Sequence, residues 1–158
     1  MARVEYAKGQ GFRLTGKAQV LGQEIERLRR RRGHLTAQLV VDAASDPASR
    51  LHGEFEWDDT AAAASYRLDQ AAYLLRAIVI VREPQNGDPR IVRAFVYLQD
   101  DEAGPIYTSI SVAMGDPAMR QQVLRRAWQE LEGWRRRYSE YDELAKVFSA
   151  IDEVAKAV

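Results

Sequence analysis

The sequence predicts an α+β domain followed by a long C-terminal helical segment. Three observations carry that reading. Apolar residues recur at helical spacing over 15–32, 35–45 and 61–77. The period shortens to two between Ile78 and Val112, where Asn86-Gly87 supplies a hairpin turn signal. Beyond Asp116-Pro117 there is no further proline, and Gly133 is the only glycine.

Residues 1–14 read as extended or loose, because Gly9 and Gly11 break any helix. Thr15 is placed to cap a helix running to about Arg32. Val20, Leu21, Ile25 and Leu28 form its apolar stripe, and Gly33 ends it. Arg29, Arg30, Arg31 and Arg32 fill its last turn, where cations oppose the negative end of the helix dipole. A second helix follows from Ala37 to Ser45, with Thr36 as N-cap and Leu35 and Val40 at hydrophobic-staple spacing. Asp46-Pro47 then starts a short turn through Leu51 and His52, ended by Gly53. Asp59 or Thr60 caps a third helix, from Ala61 to about Ala77. Ala64, Leu68, Ala71, Ala72 and Leu75 make one face of it, which leaves Tyr66, Arg67 and Gln70 on the opposite, exposed side.

Ile78 to Val81 is a β-branched run, and Ile91 to Leu98 is its return strand. Ile106, Thr108, Ile110 and Val112 alternate with Tyr107, Ser109 and Ser111, which predicts a third strand with one buried face. Asp116-Pro117 repeats the cap-plus-proline signature. Val123, Leu124, Ala127, Leu131, Trp134 and Tyr138 form a stripe that Tyr141, Leu144, Phe148, Ile151 and Ala155 continue. One helix fits this pattern, and so do two helices with a break near Ser139. An unbroken helix of about 40 residues would span about 60 Å, too long to pack fully on a small domain. The chain therefore divides into an α+β domain over 1–115 and a helix or helical hairpin over 116–158. The latter either packs on the domain or forms an oligomerisation arm.

Composition narrows the chemistry. The 158 residues have zero formal net charge, 46% hydrophobic and 29% charged residues. Global charge therefore points to neither nucleic acid nor membrane. The charge is patchy, however. Arg13, Lys17, Arg27 and the Arg29–Arg32 run stand against Glu24 and Glu26. Asp42, Asp46, Glu54, Glu56, Asp58 and Asp59 then stand against Arg50. These neighbouring segments can neutralise each other or form two opposite faces. There is no cysteine, which excludes disulfides, thiolate metal sites and a cysteine nucleophile, and suits a reducing cytoplasm. No apolar run reaches the roughly 20 residues of a membrane span, and the N-terminus lacks a signal-peptide apolar core.

Catalytic patterns are absent. Glu54, Glu56 and Asp58 alternate as clustered carboxylates do around a hard divalent cation, but no lysine or histidine follows to complete such a site. They read instead as a solvated turn and as charge partners for Arg29–Arg32. His34 and His52 lack metal-ligand spacing. There is no GxSxG and no glycine-rich phosphate loop. The expectation is a non-enzymatic protein that needs no metal and no cofactor.

Two binding readings follow. Three helices (35–45, 47–53, 60–77) and then a hairpin match the order of a winged helix, whose third helix enters the major groove. Tyr66, Arg67 and Gln70 would face base edges, while Arg29–Arg32 and Arg90 contact phosphate. The acidic EFEWDD run beside that helix opposes this. The second reading is protein contact through Trp128, Trp134, Tyr138, Tyr141 and Phe148, since aromatics anchor interfaces.

The chain also resembles a group of uncharacterised bacteriophage and prophage proteins. The resemblance rests on AQVLGQEIERL (18–28), on the segment from Leu35 to Arg76 with its FEWDD core, and on RAFVYL (93–98). It is weaker in the leucine, tryptophan and tyrosine pattern of 123–148. It implies a phage or prophage setting in a bacterial host cytoplasm, or incorporation in a virion, and it implies no catalytic residue. The expected function is thus a phage-type DNA-associated accessory or regulatory protein. The alternative is a virion structural or assembly protein working through contacts with itself or other phage proteins, or an inhibitor of a host defence factor.

Overall fold

The fold is built outward from one helix-to-strand junction. Helix α3 (Ala61–Ala77) runs without a loop into strand β2 (Ile78–Arg82) in the computed structural model, which describes residues 3–58, 61–83 and 86–157. Leu74, Leu75, Ala77 and Ile78 are all buried there. The β-branched run Ile78-Val79-Ile80-Val81 explains the switch: such side chains are restricted on a helix and pack well on a pleated surface.

β2 is the middle of a three-stranded antiparallel sheet. Its neighbours are β1 (Glu5–Lys8) and β3 (Arg90–Arg93). Tyr6 lies opposite Ile80, and Val92 lies opposite Ile80 from the other side. The three-stranded sheet is thus present, and residues 5–8, within the stretch read as extended or loose, supply one of its strands. The outer edge of β1 is not left bare. The Gln19 side chain accepts from Tyr6 N at 2.8 Å and donates to Val4 O at 2.9 Å. A side-chain amide there mimics the next strand and satisfies the edge.

The predicted return strand 91–98 is split at Ala94. Ala94 N donates to Ile78 O, and Ala94 O accepts from Ile110 N. The chain bends there and enters a second sheet, β4 (Phe95–Asp100) paired with β5 (Gly104–Ser109). Leu35 adds one residue of pairing to the far side of β5, exchanging both backbone hydrogen bonds with Tyr107. The predicted third strand to Val112 ends early: Ile110–Gly115 is helix α4. Its alternation was real only through Ser109, after which Ile110 turns to meet Ala94.

Helix α1 (Ala18–Arg32) packs on β1, β2 and β5, and α2 (Ala37–Ala44) packs on α3 and α1. Lys17, not Thr15, occupies the cap position of α1, and it makes no side-chain cap bond. Gly33 ends α1 with φ +82°, donating to Arg29 O, a conformation that glycine adopts without steric cost. Thr36 Oγ1 caps α2 by accepting from Leu39 N at 3.0 Å, and Leu35 and Val40 are both fully buried. Leu21, Ile25, Leu28, Val41, Ala44, Leu51, Phe55, Leu75 and Phe95 form one continuous core with them.

The chain resolves into two compact units, one through Arg120 and one from Gln121. Asp116 caps α5 (Pro117–Arg137), its Oδ1 accepting from Met119 N. Helix α6 (Ala145–Ala157) follows a turn that contains Ser139. The C-terminal segment is therefore two helices.

Two substitutions test this packing. A Cβ added at Gly22 would overlap Cβ, Cγ and Cδ1 of Tyr6. An exchange that usually favours a helix is therefore expected to destabilise by about 1–3 kcal/mol in Gly22→Ala, read by urea unfolding. Thr108 Oγ1 is buried with no hydrogen-bond partner. Thr108→Val keeps the branched shape and removes that desolvation cost, so a gain of about 1 kcal/mol is expected in the same assay.

Candidate functional site

The stretch from Leu51 to Asp58, which holds most of the FEWDD core, folds as a clasp. His52 opens a short 3-10 turn (His52–Glu54). Its Nδ1 lies 2.8 Å from Ala44 O. A carbonyl can only accept, so the Nδ1–H tautomer fits. The Trp57 ring stacks on the imidazole, with centroids 4.9 Å apart and planes 6° from parallel. Trp57 Nε1 donates to His52 O, and Phe55 packs against Trp57 from the core. Arg67 covers the other side of this stack, its guanidinium 5.3 Å from the indole centroid. Such a contact is worth roughly 0.5–1 kcal/mol at a partly exposed site.

That clasp engages two of the three residues expected to read DNA. Arg67 Nη1 donates to Glu56 O, and Gln70 Oε1 accepts from Glu56 N. Both side chains are half-buried, while Tyr66 is exposed. The predicted helix face is rotated. Ala63, Ala71, Leu74 and Leu75 are buried, whereas Ala64 and Leu68 are exposed. Alanine gains little from burial, so the leucines beside the strand junction and the polar bonds to Glu56 set the rotation. The predicted caps Asp59 and Thr60 lie outside the described residues.

The predicted carboxylate cluster is also dispersed. Glu54 accepts from Thr15 N and Gly16 N, fixing the entry to α1, while Glu56 and Asp58 are exposed. They do not pair with the arginine run. Arg29 and Arg30 instead bond Glu26 of their own helix. The Glu26 bond holds the Arg29 guanidinium above its ordinary range, against a smaller effect of burial. Arg31, Arg32 and Arg90 are exposed. Among the described residues no three His, Asp or Glu side chains gather as a metal site.

A groove of about 470 Å³ runs along the outer side of α3, lined by Arg13, Glu54, Tyr66, Asp69, Tyr73 and Arg76. Tyr73 Oη accepts from Arg13 N, and Phe12 packs edge-on to Tyr73. Asp69, Tyr73 and Arg76 were not singled out by sequence, and Arg13 only as part of a basic segment. The i, i+3 and i, i+4 spacing of Asp69, Tyr73 and Arg76 on α3, beside Tyr66, could have suggested them.

The C-terminal unit carries the predicted interface residues. Trp134 contacts both Tyr138 and Phe148, with centroids 5.6 and 5.9 Å apart, and Tyr138 contacts Tyr141. These four rings form one aromatic seam that joins α5 to α6, while Trp128 lies half-buried further back along α5. Arg135 crosses between the helices to pair with both oxygens of Asp152 and lies over Phe148. Among the described residues from Gln121 onward only Ile151 is buried. Leu124, Tyr141, Val147 and Val154 are exposed, and neither Val147 nor Val154 belongs to the predicted stripe.

No family model, no curated protein and no solved structure matches this chain.

The Arg135 bond holds the Asp152 carboxyl below its ordinary range, with burial opposing weakly. A depressed carboxylate contributes stability above its unfolded pKa and loses it as pH falls through the lower folded value. Acidification through and below the ordinary carboxylate range is therefore expected to loosen α6 from α5. Tryptophan fluorescence of the full chain would report it through Trp134, and Asp152→Asn should flatten that part of the pH profile.

Proposed function

We propose that the protein acts without catalysis, by protein–protein contact, as an assembly or adaptor component in a phage or prophage setting. One observation carries the reading. The unit from Gln121 presents an aromatic seam and exposed Leu124, Tyr141, Val147 and Val154, but buries only Ile151 among its described residues. A helical pair of this size gains little from its own core and is ordinarily completed by association. Aromatic anchors flanked by arginines also match the composition of interface centres. The phage setting rests on the resemblance of the Leu35–Arg76 segment. In keeping with a role outside the bilayer, no described helix is long and apolar enough to cross a membrane.

Duplex DNA is the second reading, and one feature favours it. The end of α1 exposes Arg31 and Arg32 just before Leu35 joins β5 and β4, which sets a basic patch beside a small sheet with α2 and α3 packed nearby. The reading is weakened by the engagement of Arg67 and Gln70 and by Asp100, Asp101 and Glu102 at the β4–β5 turn.

The readings part experimentally. A photoreactive phenylalanine analogue placed at Val147 in the full chain is expected to give a discrete, saturable protein adduct in producing cells. The absence of any protein adduct there and at Tyr141 would sink the first reading. Anisotropy with labelled duplex DNA should show no binding that falls steeply with salt. Salt-dependent binding lost on replacing Arg30, Arg31 and Arg32 by alanine would instead favour the DNA reading.

A further inference from the structure

We infer that the partner of the C-terminal hairpin is the same hairpin of a second copy of this chain, each α5 lying along its partner's α6. The inference rests on the protein-contact reading and names its partner.

Charge selects this occupant. Helix α5 carries Arg125, Arg136 and Arg137 with no ion pair among the described residues, besides Arg135, which pairs with Asp152. The turn and helix that follow carry Asp142, Glu143 and Glu153, likewise without ion pairs. All six are exposed. Within one hairpin the Arg135–Asp152 pair links the two helices, and Arg126 pairs with Glu130 inside α5. Helix α5 carries six arginines against Glu130 and Glu132, a net charge of +4, while residues 138–157 carry Glu140, Asp142, Glu143, Asp152 and Glu153 against Lys146 and Lys156, a net charge of −3. A surface with net positive charge on one side and net negative charge on the other is its own complement under a two-fold axis. In such an isologous contact, what α5 offers α6 is offered back at the symmetric position. An unrelated helix would need a matching charge pattern of its own.

The apolar residues fit the same geometry. Leu124 on α5 and Val147 and Val154 on α6 are exposed, at 58%, 44% and 52%. Two helices can bury one stripe between them. Four can enclose a core, with the remaining apolar positions turned inward and the charged residues at the rim between neighbouring helices. Rim charges contribute little energy each, but they choose the partner and its orientation.

The test uses full-length protein. Sedimentation equilibrium of the wild type is expected to show a monomer–dimer equilibrium that weakens as salt rises. One variant reverses α5 (Arg125→Glu, Arg136→Glu, Arg137→Glu). A second reverses the α6 side (Asp142→Lys, Glu143→Lys, Glu153→Lys). Each alone should dimerise at least about tenfold more weakly, since a few rim pairs sum to roughly 1.4 kcal/mol. Mixed in equal amounts, they should recover a 1:1 heterodimer of wild-type strength. These positions are exposed and without ion pairs, and circular dichroism should show unchanged helix content. A measurement without these variants stands beside them. In a mixture of isotopically heavy and light chains, the probe at Val147 should form heavy–light adducts to α5. A monomer at every concentration, or variants that dimerise as the wild type does, would overturn the proposal. A Val147 adduct exclusively to a different protein would overturn it too while leaving the protein-contact reading standing, whereas loss of every protein adduct would remove both.

Discussion

The junction between Ala77 and Ile78 constrains everything else in the first unit. A helix ends with carbonyls that have no intrahelical partner, and here that end is fully buried. Its groups are satisfied by other elements: Ala77 O accepts from Gly9 N, and Ile78 O accepts from Ala94 N. The first bond ties the end of β1 to the helix. The second sets the bend from which the chain leaves β3 for β4. An unsatisfied buried carbonyl would cost on the order of 1–3 kcal/mol, so both sheets are bound to the point where α3 stops. Because no loop intervenes, the pleat of β2 constrains the rotation of α3, and the bonds to Glu56 fix it. That rotation decides which side chains of the helix face Trp57 and which face solvent.

The clasp at 51–58 completes the setting of that rotation. With Leu74 and Leu75 fixed inward, Arg67 and Gln70 point along the same side toward the chain arriving from His52. Their bonds to Glu56 satisfy a backbone segment with no sheet or helix partner of its own. The His52–Trp57–Arg67 stack then closes the space between α2 and α3, since His52 also holds the last residue of α2 through Ala44 O. The residues that made the sequence distinctive thus serve mainly to join two helices. This leaves the groove of Tyr66, Asp69, Tyr73 and Arg76 as the exposed side of α3. It carries both signs of charge and does not form the continuous positive surface that a phosphate backbone requires.

Much of the fold was legible because it depends on local chemistry. Thr36, Gly33 and Asp116 act at helix ends through bonds within a few residues, and the β-branched run at Ile78 acts through side-chain sterics. The errors arose where distant residues decide. β1 could not be seen in EYAK, because it depends on pairing with Ile78–Val81 and on the Gln19 side chain of another element. The face of α3 was misjudged because seven alanines blur a hydrophobic stripe, and the tie-breaking bonds come from Glu56. The arginine run was matched to the wrong carboxylates because sequence order suggested Glu54 and Glu56, while Glu26, one turn away, was closer. In the C-terminal unit the contact among the aromatics themselves was readable from local geometry. Trp134 and Tyr138 are four residues apart, and one short connection brings Phe148 of α6 back to Trp134.

The two units therefore meet the demand for buried apolar surface in different ways. The first encloses its core with elements from seven or more stretches of chain, fixed by backbone bonds between them. The second has one seam and one cross-helix ion pair, with that pair exposed to solvent. An exposed pair of this kind contributes about 0–1 kcal/mol, too little to offset the ordering of two helices by itself. Stability of the hairpin must then come from apolar surface, and the hairpin alone leaves Leu124, Val147 and Val154 in water. Covering those residues would strengthen the unit and create a contact in a single step. That exposed apolar surface is what the proposed association would cover.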